Sequence, residues 1–296
     1  MPIVTVQELI DAGVHYGHRT SRWNPKMKPF IQSKRNSIHI IDLRATVRGL
    51  VQGAHFLKNV SRDGWQVLFV GTKRGAKTVI REEAQRCGMP FVTERWLGGT
   101  LTNFDTIRIR LARLEELENI ERSGEINAMS KKELSAYNRE KRKLLKNLEG
   151  IRTMTNLPGA LVIVDPKREH IAVKEANRIG IPIVALVDTD SDPDPIDIPI
   201  PSNDDAMRSV SVLIKRLSDA CVEGAGALKN RSAEISRGAV DQGTADAIAS
   251  ATGEHGRRGP AKRVVVRRAH TDAPPPASNQ PREGDGDGAH AASPAR

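Results

Sequence analysis

Phenylalanine, tryptophan and tyrosine together make up only 3% of the 296 residues. Stacking successive bases on aromatic rings, the mode of single-strand binders, is therefore not expected. There are two cysteines, Cys87 and Cys221, far apart in the chain. They form neither a disulfide framework nor a metal cluster, and a reducing cytoplasm is the compartment that fits them. Both fall in helix-like segments and read as small buried hydrophobes. No run approaches the 18 apolar residues of a membrane span, so no membrane partner is expected. The opening MPIVTVQELIDAG has acidic residues and no long apolar core, unlike a secretory signal. H-E-x-x-H is missing, and no Ser/His/Asp or Cys/His arrangement reaches motif grade.

Positive charge is abundant: 46 Lys and Arg against 36 Asp and Glu, a net +10. That surplus favours a polyanionic partner, and nucleic acid is the commonest one. With so few aromatics, the expected mode is phosphate contact by Arg and Lys. A soluble basic enzyme is the competing reading of composition alone.

Up to about Lys229, strand and helix signals alternate. Ile38–Asp42, VLFVG, PFVTERW, Ala160–Asp165, IPIVALVD and DIPIPSN read as strands. Helical spacing follows Leu43, and Gly75–Cys87 and Glu169–Ile179 read as helices closed by Gly88 and Gly180. Asn203–Val222 reads as a long helix with Asn203 as its cap and Asp204 and Asp205 in its first turn. Continuous apolar runs indicate strands covered on both faces, and strand–helix repetition a parallel sheet. The segment 103–151 breaks the rhythm. Ile107, Leu111, Leu114 and Leu117 form one apolar stripe; Tyr137, Leu144, Leu148 and Ile151 form another; Ser130 and Glu133 have capping-box spacing. Charge surrounds both stripes. The expected organisation is an α/β domain over 1–102 and 152–229, with an inserted antiparallel helical hairpin over 103–151. Two surface helices lying flat on the sheet are the alternative. From about residue 230, Ala, Gly, Pro, Ser and charge dominate, so 230–296 is expected to be a disordered basic tail. Its patch Arg257–Arg268 can touch RNA phosphates or be simply solvated.

LFVGTKRGAKT invites comparison with a phosphate cradle. The Walker pattern needs G-x-x-x-x-G-K-[ST], and Gly71 here is followed, in register, by Ala76, Lys77 and Thr78. A β-carbon at the second glycine obstructs the backbone wrap around phosphate. A P-loop-like NTPase is thus the second reading. The first keeps Lys73 and Arg74, at the carboxyl end of a strand, as contacts to a nucleic-acid backbone. HYGHRTSRWNPKMKPF gathers Arg19, Arg22, Lys26 and Lys28 around Trp23 and two prolines, and Lys34 and Arg35 follow. Cations on a stiff loop lose less entropy on meeting phosphate. Arg95, in RWLGGTLTN, and Arg108, on the first hairpin helix, complete the candidate RNA-binding set. His18, Asp188 and Asp205 are expected at one rim of the sheet, where one histidine and two carboxylates can hold zinc or form a hydrogen-bonded cluster. VDTDSDPDPID is only a faint calcium loop, since Pro193 replaces the required glycine and no glutamate closes it.

AGVHYGHRTSRWNPKMKPFI, IHIIDL, LFVGTKR, RWLGGTLTN and the long run LPGALVIVDPKREHIAVKEANRIGIPIVALVDTDSDPDPIDIPIPSNDDAMRSV resemble, in order, the S-two family of bacterial small-subunit ribosomal proteins. The similarity covers about residues 3 to 229. It implies a flavodoxin-like three-layer α/β/α domain with an inserted coiled-coil hairpin, and no catalysis. It implies binding to 16S-type ribosomal RNA between head and body, cytoplasmic ribosomes as the location, and docking of the mRNA-binding ribosomal protein one. Zinc at the positions matching His18, Asp188 and Asp205 is associated with that docking surface. Asp190 and Pro195 stand where the family commonly has Asn and Gly, which stiffens the acidic turn.

Overall fold

The structure, a computed structural model, describes residues 4–241, with side chains throughout except at 127, 128 and 231–241. A capping box of Thr5 and Glu8 opens α1 (Val6–Asp11). Three short strands follow, β1 (Tyr16–Arg19), β2 (Ile31–Arg35) and β3 (Ile38–Ile41). The Asp42 carboxylate accepts from the Arg44 N–H and starts α2 (Leu43–Arg62). Next come β4 (Val67–Val70), α3 (Arg74–Cys87) and β5 (Phe91–Val92). Two long helices, α4 (Phe104–Ser123) and α5 (Lys131–Leu148), precede β6 (Ala160–Val164) and α6 (His170–Ile179). β7 (Ile183–Val187), β8 (Ile198–Pro201) and α7 (Met207–Asp241) complete the described chain. Gly88 and Gly180 close α3 and α6 at φ +68° and +85°, backbone conformations that a side chain resists.

Five strands make one all-parallel sheet in the order β5-β4-β6-β7-β8. Counted within that sheet the order is 2-1-3-4-5, the doubly wound flavodoxin-like order. Alternate residues of each strand enter different cores. Val67, Phe69, Val162, Val164, Val184 and Leu186 face α2, α3 and α7. Leu68, Val70, Leu161, Ile163, Ile183 and Ala185 face α6 and the roots of α4 and α5, through Ile107, Leu148 and Ile151. The result is three layers, α/β/α. Burying each such aliphatic side chain contributes roughly 1.5–3 kcal/mol, so apolar runs without alternation are what a sheet covered on both faces requires.

α4 and α5 run antiparallel: Arg113 meets Glu140 at 3.2 Å, and further along α4 the Leu117 carbonyl accepts from the Tyr137 hydroxyl. Lys141 pairs with Glu121. Leu114, Leu117 and Tyr137 are buried without belonging to either sheet core, so this part of the pair packs on itself. The capping box of Ser130 and Glu133 opens α5.

Three expectations change. Ile38–Ile41 belongs to a separate antiparallel sheet, ordered β1-β3-β2, because its neighbours β1 and β2 lie within the segment read as a loop. The strand read in PFVTERW shortens to Phe91 and Val92, since the chain turns away to place Trp96 in the core. The helix read as Asn203–Val222 begins at Met207 and continues to Asp241. Asn203 does cap, but a turn earlier: its side-chain oxygen accepts from the N–H groups of Asp205 and Ala206. The boundary drawn at residue 230 therefore falls inside α7. The patch Arg257–Arg268 lies outside the described residues.

Candidate nucleic-acid interface

All five strands point the same way, so the segments leaving β4, β6, β7 and β8 meet at one edge. They carry Lys73, Asp165, Asp188 and Asp204–Asp205. β1 adds His18 from the small sheet. Its approach needs Gly17, where a Cβ would come 2.6 Å from the Thr189 methyl carbon. The His18 N–H donates to Thr189 Oγ1 at 2.9 Å, and its Nδ1 lies 3.0 Å from Asp188 Oδ2. Its Nε2 lies 3.3 Å from Asp205 Oδ2. The hydrogen bond to Asp188 is the main cause lifting the imidazole pKa to about 9, burial opposing it. Asp204 is fully buried, and burial, then the Asp188 and Asp165 charges, push its carboxyl up to about 7.

Lys73 sits within this edge. Its Nζ is 2.6 Å from Asp204 Oδ1, 2.5 Å from Asp205 Oδ1 and 3.6 Å from Asp165 Oδ2. Burial works against the ammonium, but Asp204 leads the carboxylates that keep it charged above the usual lysine range. Lys73, expected to meet phosphate, is thus enclosed by three carboxylates. Any phosphate would have to displace them against their own negative charge.

The glycine loop is closed by protein rather than open to nucleotide. The Thr72 N–H and hydroxyl both donate to Glu169 Oε1, at 3.1 and 2.5 Å, and Arg168 Nε donates to Thr72 Oγ1. Glu169 is buried. A carboxylate therefore occupies the donors that a phosphate would use. Ala76 lies in the core, and Lys77 reaches away to Glu94 at 2.9 Å. The P-loop reading fails on these contacts as well as on the missing glycine.

His18, Asp188 and Asp204 bring one ligating atom each within 4.8 Å of one another. Asp204 Oδ2 is buried with no hydrogen-bond partner. One imidazole and two carboxylates suit zinc, so the donor set fits. The third member by this geometry is Asp204; Asp205, named from sequence, is half exposed and meets Lys73 and His18 from outside. The neighbouring Asp204 carried no separate sequence signal, because only the tertiary turn decides which of two adjacent aspartates faces inward.

The remaining candidates divide. Arg19, Arg22, Lys28, Lys34, Arg35, Arg74, Arg95 and Arg108 are exposed and have no ion pair among the described residues. Arg19 and Arg35 both register opposite Ile38, from the two flanking strands. They therefore stand on one face of the small sheet about 10 Å apart, two strand spacings. Lys26 pairs with Asp192 and Asp194 at 2.7 Å each, tying its loop to the acidic turn. Trp23 is half-buried against His39, ring centroids 5.2 Å apart, so its ring packs within the protein.

Residues 9–224 match the sequence model of a family described as Ribosomal protein S2. Among similar proteins is the small ribosomal subunit protein uS2 of Rhodopirellula baltica, 52% identical over 236 residues, which are 80% of this chain and 91% of that protein.

Proposed function

The chain belongs to the ribosomal protein S2 family, and from that premise we propose how its surface serves a structural constituent of the small ribosomal subunit. It is not an enzyme, and its place is the ribosome, which is cytoplasmic in bacteria. Ribosomal RNA and other ribosomal proteins are its partners by that membership.

The finer reading is that it grips 16S-type RNA between head and body through exposed cations: Arg19, Arg22, Lys28, Lys34 and Arg35 of the small sheet and its connecting loop, with Arg74 at the start of α3, Arg95 after β5 and Arg108 on α4. The observation that carries it is their lack of acidic partners among the described residues, whereas Lys73 and Lys167 at the carboxylate edge are both paired. Unpaired surface cations remain available to release counterions on meeting phosphate. The α4–α5 pair is read as a coiled-coil insert over 103–151 within the α/β domain of 1–102 and 152–229. Zinc held by His18, Asp188 and Asp204 would link the small sheet to the β7 and β8 segments; it would supply a rigid corner rather than chemistry. That corner is the proposed docking surface for ribosomal protein one.

The test is binding of the full chain to small-subunit RNA across a salt series. Replacing Arg19, Arg22 and Arg35 by Gln should lower the log–log salt slope by roughly 2–3, near 0.9 per lost phosphate contact. An unchanged slope would assign the surface to proteins instead. For the metal, zinc alone should raise the thermal midpoint of the wild-type chain and leave His18→Ala unmoved.

A further inference from the structure

α5 presents a second cationic surface that the loop cations do not explain. A shallow groove of about 750 Å³ lies along it, lined by Lys131, Asn138, Arg139, Arg142, Lys143 and Lys146, with Leu134 and Ser135. No carboxylate lines it. Two acidic residues of the helix pair are engaged away from it. Glu140 pairs with Arg113, and Glu121 with Lys141, both across to the partner helix. Lys131, Arg139, Arg142 and Lys143 are exposed and have no ion pair among the described residues; Lys146 has one long contact, 3.7 Å, to Glu94. Charge is thus sorted: mixed on the face that meets α4, purely positive on the other.

From this sorting we infer that the outward face of α5 is a docking surface for the phosphate backbone of double-helical RNA. It rests on the reading that the chain binds small-subunit RNA, and adds a site separate from the small sheet. The fifteen helical steps from Lys131 to Lys146 give a straight row ~22 Å long, at 1.5 Å per residue. A rigid, straight row suits a duplex, whose backbone is regular, and A-form RNA offers a wide, shallow minor groove flanked by phosphates. The lining has no aromatic ring on which to stack an unpaired base. It has one apolar side chain, Leu134, and so lacks the buried anchor cluster of a protein interface.

The experiment compares four full-length chains: wild type, Arg139→Gln/Arg142→Gln/Lys143→Gln, the charge-keeping Arg139→Lys/Arg142→Lys, and the small-sheet variant Arg19→Gln/Arg22→Gln/Arg35→Gln. Probes are a small-subunit RNA transcript, a plain RNA duplex of about two helical turns, and a polyglutamate peptide. The α5 Gln variant should keep wild-type helix content, bind duplex about tenfold or more weakly at moderate salt, and lose about 2–3 from the salt slope. The Lys variant should bind as wild type. If the α5 Gln variant binds both RNAs like wild type while the small-sheet variant is weakened, the inference falls and the reading of the small sheet stands. If the wild type binds neither RNA, both fall. Loss of polyglutamate binding with RNA binding intact would reassign the surface to an acidic protein.

Discussion

Glu175 is 7% exposed, yet its carboxylate accepts from five donors. Oε1 takes the Trp96 indole N–H and the Gly99 N–H; Oε2 takes the N–H groups of Leu101 and Thr102 and the Thr102 hydroxyl. Burial would raise its pKa, but these donors, the Leu101 N–H first, hold it below the usual glutamate value. A group lowered in this way stabilises the fold above its unfolded value and stops doing so as pH falls through its folded one. Glu175→Gln should therefore cost about 2–4 kcal/mol in urea unfolding, since it leaves donors without a charged acceptor. A cost under 0.5 kcal/mol would mean the RWLGG turn holds without it. Two histidines pull the pH profile in opposite directions. Burial, then the Lys34 charge, lower His39, so its contribution is lost as pH drops below about 6.5. His18 is raised to about 9, so its contribution is lost as pH climbs from about 6.5 toward that value. His39→Phe should flatten the acid limb of a urea-midpoint series between pH 7.5 and 5.5 and leave the alkaline limb sloping. An acid limb as steep as wild type would assign it to other groups.

At the scale of elements, α4 and α5 depend on each other where they leave the sheet. Tyr137→Phe removes the hydroxyl bond to the Leu117 carbonyl and should cost about 0.5–1.5 kcal/mol, because that carbonyl keeps its helical partner and loses only the cross-helix donor. The loss should be local. Amides of 107–145 should exchange faster while those of β4, β6 and β7 keep wild-type protection. Uniform loss across the sheet would mean that the helix pair and the sheet unfold as one unit. Ser130→Ala removes the capping box and should act in the same place, by about 1 kcal/mol. These helices were legible beforehand because both carry local signals, an apolar stripe at helical spacing in each and a capping box at the start of α5. The small sheet was not. Its strands run four or five residues and their exposed faces do not alternate apolar with polar, so β1 and β2 looked like loop.

At the scale of the whole molecule, the edge of the parallel sheet is occupied by its own chain. Glu169 fills the donors of the β4–α3 turn, and Lys73 answers Asp165, Asp204 and Asp205. Millimolar Mg-ATP should leave the thermal midpoint of the chain unmoved; a rise of several degrees that Lys77→Ala abolishes would contradict this. The sequence by itself determined the layered α/β architecture, the helix pair and the basic surface, because apolar spacing, caps and net charge are local or additive properties. Only the tertiary structure decided which charges are free and which are paired, and that Asp204 is buried beside His18 and Asp188 while Asp205 meets His18 from the exposed side. Pairing depends on distances between segments far apart in the chain, 170 residues in the case of His18 and Asp188, and no local pattern encodes such a distance.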